Sequence, residues 1–152
     1  MTAPAVAAHG LALAPPPGWD VRIYRRPPTP PESTYAVLHA ATFPLPAERA
    51  DYGDGAVQAM GPTDVFVALV EFEPSATRTA LFAPSGFAGP FAGGDFSRTS
   101  LQHGMPGQAG LQRFFTARQR AWCLYVVIGS WDRRAELAAT ANRLVAGIEV
   151  GA

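Results

Sequence analysis

Two stretches constrain this chain more than the rest of it: VFVALVEFE at 65–73 and AWCLYVVIG at 121–129. In an extended chain, successive side chains point to opposite faces. At 65–70 both faces are apolar: Val65, Val67 and Leu69 on one, Phe66, Ala68 and Val70 on the other. At 122–128, Trp122, Leu124, Val126 and Ile128 oppose Cys123, Tyr125 and Val127. Each run falls far short of the roughly 20 residues that span a bilayer. They therefore read as strands covered on both faces, and the rest of the chain must supply a layer above the sheet and a layer below it.

The most evident cover is a C-terminal helix. Leu137, Ala138, Ala141, Leu144, Val145 and Ile148 recur at helical spacing from Trp131 or Asp132 to about Ala146. Ser130 is the expected cap and Gly147 the stop. Residues 111–118 form a strand that turns near Gln119 into 121–129. WDVRIYR (19–25) alternates Trp19, Val21 and Ile23 against Asp20, Arg22 and Tyr24, as a half-buried strand does. TYAVLHAATF (34–43) is a further strand, TALFA (79–83) a weaker one, and 51–60 a short helix capped by Asp54. Glu71 and Glu73 read as the point where strand 65–73 leaves the core. The expectation is one α+β domain over 1–152. It has an antiparallel sheet of about five to seven strands, the helix on one face, and a short helix and long loops on the other.

Residues 1–10 read as a flexible leader running into a first strand. They lack the positive segment of a secretory signal, which points to the cytoplasm. PPTPPES (27–33) reads as a stiff connector, or less simply as a ligand for an SH3-type domain. The least ordinary segment is 84–110, a long Gly/Pro-rich loop carrying Phe87, Phe91 and Phe96.

Composition closes several routes. Twelve basic and twelve acidic residues leave no net charge, so there is no electrostatic footprint for nucleic acid. All twelve cations are arginine, and Ala, Gly and Pro abound, as GC-rich bacterial coding favours. One cysteine makes neither an internal disulfide nor a thiolate metal cage. Without lysine there is no Walker loop for SGFAGPFAGG (85–94) to form. No nucleophile elbow is present, and no cofactor or membrane partner is indicated.

The element order includes a Pro-Pro-Gly-Trp turn (16–19), a hairpin ending LYVVIGS (124–130) and a helix closing on LVAGIEV (144–150). In this it resembles the Mog1/PsbP-like α/β/α sandwich superfamily. The resemblance implies a non-catalytic binding or assembly module and carries over no site residues. The chain departs from that group's lipoproteins in lacking a signal and a lipobox cysteine.

Candidate residues are few. Cys123 reads as a structural thiol in a buried strand. His9, His39 and His103 show no metal-ligand spacing. His39 or His103 with Asp51, Asp54 and Glu48 would be needed for acid–base catalysis. Phe87, Phe91 and Phe96, with His103 nearby, are the candidate contacts, either exposed for a partner or folded back over a sheet face. The expected function is binding of another protein through the 84–110 loop and a sheet edge. A small apolar ligand beneath the loop is the first alternative and a His/Asp enzyme the second. A homodimer through a free sheet edge stays open. Changing both Phe87 and Phe91 to Ser is expected to abolish partner binding without unfolding the domain.

Overall fold

The computed structural model describes residues 5–26, 35–87 and 89–151. The two apolar runs become β5 (Val65–Phe72) and β7 (Arg120–Ile128), adjacent strands in the middle of a sheet. With β3 (Asp20–Arg25), β4 (Ala36–Ala41) and β6 (Ala109–Ala117) they form a five-stranded antiparallel sheet in the order β3-β4-β5-β7-β6. The α+β expectation holds. The strands do not share one sheet, however: β1 (Val6–Ala8), β2 (Leu11–Leu13) and β8 (Ile148–Val150) form a second, three-stranded antiparallel sheet in the order β1-β2-β8. The segment read as a leader is thus a hairpin from Val6 onward. Residues 1–4 and the connector at 27–33, with its SH3-ligand alternative, lie outside the described residues.

Both faces of the main sheet are covered. On one, Val65, Val67, Leu69, Trp122, Leu124 and Val126 pack against helix α1 (Arg134–Val145), through Leu137, Ala141 and Leu144. Leu11, Leu13 and Ile148 of the small sheet extend this core. On the other, Phe66, Ala68, Val70, Tyr125 and Val127 lie beneath residues 43–60, with Leu101 and Met105. The segment 84–110 therefore serves both faces: Phe91 and Phe96 enter the helix-side core, and Leu101 and Met105 the opposite one.

Several local expectations are corrected. No α-helix forms at 51–60. Gly53 and Gly55 both have positive φ, and a Cβ on Gly53 would come within 2.5 Å of the Phe66 ring. This tight approach leaves only a 3-10 turn at Val57–Ala59, and Asp54 accepts a hydrogen bond from Gln58 Nε2 (2.9 Å) instead of capping it. Residues 80–82 form a 3-10 turn, not a strand. It sets Phe82 in an aromatic cluster, tilted against Phe72 and edge-on to Phe114. A 3-10 turn at Trp131–Arg133 precedes α1, and Ser130 makes no side-chain cap: the Arg133 N–H bonds the Ser130 carbonyl instead (3.2 Å). The second face of β3 is not open either, since Tyr24 is buried beneath the 43–60 segment.

Candidate functional site

Phe91 and Phe96 are 4% and 2% exposed, so they have folded back into the core. Asn142 of α1 fixes Phe91 with two hydrogen bonds, Phe91 N–H to Oδ1 (2.8 Å) and Nδ2–H to the Phe91 carbonyl (2.7 Å). Replacing Phe91 therefore tests folding, and the double Phe87/Phe91 change no longer separates binding from stability. Phe87 is only half-buried. Its ring lies 4.8 Å from that of Phe115 and its outer side remains open. His103 is half-buried, and among the described residues its side chain makes no hydrogen bond. It sits beside Gln102, whose N–H donates to the Tyr125 hydroxyl (2.8 Å).

The His/Asp group does converge, but on architecture. His39 is fully buried in β4. Its Nε2 is 2.9 Å from the Asp51 carbonyl oxygen, and its Nδ1 is 3.1 Å from Arg22 Nη2. A carbonyl only accepts and a guanidinium only donates, so Nε2 carries the proton and Nδ1 accepts. Burial, aided by the charge of Arg22, pulls the His39 pKa down to about 4, against the opposing hydrogen bond and charge of Asp51. The Asp51 carboxylate accepts from the Tyr24 hydroxyl (3.0 Å) and from Arg26 Nη1 (3.3 Å). Arg22 further donates to the carbonyls of Pro46 and Glu48. With both nitrogens engaged and no route to solvent, His39 can serve neither as a base nor as a metal ligand. Among the described residues no three or more His, Cys, Asp or Glu are grouped so as to hold a metal ion. Cys123 lies in the same core, and burial pushes its thiol up to about 12 despite a hydrogen bond with Tyr52. It stays protonated, as a structural thiol does.

The open feature lies elsewhere. A groove of about 1240 Å³ separates the small sheet from the end of the β6–β7 hairpin. One wall is built from Ala8, Leu11 and Val150, and the other from Ser85, Phe87 and Thr116. β8 is an edge strand of its sheet, paired with β2 alone. The far wall is itself a fragment of strand. Ser85 bridges Thr116, with the Gly86 N–H on the Thr116 carbonyl and the Thr116 N–H on the Pro84 carbonyl (both 2.8 Å). Behind Phe87 and Ile148, which the two cavities share, lies a smaller pocket of about 320 Å³. Pro90, Asn142, Val145 and Ala146 close it beneath the 84–110 loop.

Arg120 sets the position of the wall. Its Nε and Nη2 donate to the two oxygens of Glu71 (2.7 and 3.0 Å), and its nitrogens also reach the carbonyls of His9 (3.0 Å), Gly10 (3.4 Å) and Gly151 (3.1 Å). The guanidinium lies 4.6 Å from the Trp122 ring centre. Glu71, expected in solvent, is thus held. Burial works to raise its pKa, but the Arg120 hydrogen bonds, the Ala36 N–H and the nearby arginine charges outweigh that and lower it. Sequence reasoning missed this site because strands of three residues leave no periodicity to read. Their pairing joins residues 11–13 to 148–150 across almost the whole chain. The only available signal was the apolar LAL and IEV at the two ends.

No helix among the described residues is long and apolar enough to cross a membrane. No protein-family model, no curated protein and no solved structure matches the chain.

Proposed function

We propose that this protein is a non-catalytic binding module that receives an extended segment of another protein in the groove between β8 and Ser85–Phe87. The observation that carries this reading is the edge strand standing as one wall of an open groove. A strand edge offers a row of free N–H and C=O groups, and an extended segment gains affinity by pairing with them while its alternate side chains meet the walls. Phe87 is the loop's contribution, the one phenylalanine of its three that folding leaves partly open. The setting is the cytoplasm, and membership of the Mog1/PsbP-like superfamily is proposed on element order alone.

The test is selection of peptides from an unbiased display library, followed by amide chemical-shift mapping. Selected peptides should perturb Ile148–Gly151 and Ser85–Phe87, and Phe87→Ser should weaken binding while leaving the melting temperature within a few degrees. Binding that maps to another surface overturns the reading, and so does a library that yields nothing.

A second reading has its own observation, the pocket behind Phe87, which falls at the small end of the roughly 300–1,000 Å³ range of ligand sites. It treats the protein as a binder of a small apolar molecule. Benzene or indole should then raise the melting temperature in a concentration-dependent way, and an unchanged melting temperature would remove it.

A further inference from the structure

The groove carries three features that together specify a partner. The first is the apolar pocket, which continues from the groove past Phe87 and Ile148. The second is Arg118, exposed in the β6–β7 turn and lining the groove. The third is Glu149, exposed on β8. Among the described residues neither Arg118 nor Glu149 forms an ion pair, although two other arginines nearby, Arg113 and Arg120, are both paired. Opposite charges that line one groove without meeting each other leave two separate positions for complementary charges on an occupant.

We infer that the partner segment is an extended peptide with a large apolar residue for the pocket behind Phe87, an acidic residue for Arg118 and a basic residue for Glu149. This rests on the groove reading proposed above. The apolar residue supplies the anchor, since a buried apolar side chain in a pocket is where binding energy concentrates. The two charges fix direction and register, because a peptide running the opposite way sets like charges together.

Display selection is repeated with three variants, each at an exposed position: Arg118→Glu, Glu149→Arg and Ala146→Trp, the last filling the pocket. Circular dichroism confirms that each melts as the parent does. Peptides selected on the parent should combine an aliphatic or aromatic residue with one acidic and one basic residue. Their affinity should fall roughly three- to tenfold on each charge reversal at about 50 mM salt. Swapping the matching peptide residue should restore it. Ala146→Trp should weaken them further. Suppose instead that peptides bind and still shift the Ile148–Gly151 amides, but neither charge reversal nor the filled pocket alters affinity. Then this inference fails while the groove reading stands. If no peptide is recovered at all, the groove reading has failed and takes the inference with it.

Discussion

Two polar clamps join distant segments to the main sheet, and they work by opposite means. On the face away from the helix, His39 ties the 43–60 segment down as a neutral ring with each nitrogen satisfied. At the sheet's rim, Arg120 ties the small sheet down as a charge, 17% exposed, against Glu71, 13% exposed. A neutral imidazole can leave water entirely if both nitrogens find partners, whereas a guanidinium taken equally deep would carry a large desolvation penalty. Depth therefore decides which residue type serves. The difference also teaches what each clamp cannot be. The buried one is closed to chemistry, and the rim clamp leaves an open groove beside it.

Breaking the buried clamp should have the largest effect. His39→Leu removes a donor from the Asp51 carbonyl and an acceptor from Arg22, at a ring that is itself fully buried. A loss of about 3 kcal/mol is expected from two unmade, partly buried hydrogen bonds and the repacking around the lost ring, read as the urea midpoint at pH 7. Acid should act on the same group nearly as strongly. The folded pKa of about 4 lies below the unfolded value near 6.5, so the unfolded chain takes up the proton first. Stability is then complete above about pH 6.5 and falls as pH drops towards 4. The whole interval is worth about 3 kcal/mol at 1.36 kcal/mol per unit. Denaturation curves at half-unit steps check this. His39→Gln should flatten the slope in that window, and a slope that survives it would assign the titration to another group. Glu71, whose pKa is lowered, adds a separate acid loss only below its ordinary value near 4.5.

The same contrast explains what was legible in the sequence. The central strands could be read because their apolar residues are consecutive, and the register observed sets Trp122, Leu124, Val126 and Ile128 on one face as their alternation requires. The helix stripe was equally direct. What failed depended on partners far along the chain. β1, β2 and β8 are too short to show a period, and they are held by one another, by Arg120 and by Leu11, Leu13 and Ile148 packing into the helix-side core. Asp54 looked like a helix cap until the Gly53 approach to Phe66 is considered, which no local pattern reveals. Of the candidate contacts, Phe91 and Phe96 answered the sheet's need for cover, and only Phe87 borders the groove. Phenylalanines in a Gly/Pro-rich loop look alike in sequence, and packing alone separates them.

The rim clamp offers the finer experiment. Arg120→Met keeps an unbranched side chain at the rim but removes five donors and the cation over Trp122, leaving Glu71 without its ion partner. The global cost should be about 2 kcal/mol, less than for His39→Leu, because water can reach the rim and solvate the orphaned carboxylate. Its distribution is the more telling quantity. The carbonyls of His9 and Gly10 lie in the β1–β2 turn and that of Gly151 just past β8, whereas Arg120 belongs to the main sheet. Hydrogen exchange should therefore accelerate at Leu11–Leu13 and Ile148–Val150 before it does at β5 and β7, through local opening of the small sheet. Arg120→Lys keeps the charge without the planar fork and should lie between the two. Equal acceleration everywhere would mean that the two sheets open as one unit, and the groove between them would then be as rigid as the core. Selective acceleration would make its width adjustable, set by one guanidinium bridging five oxygens.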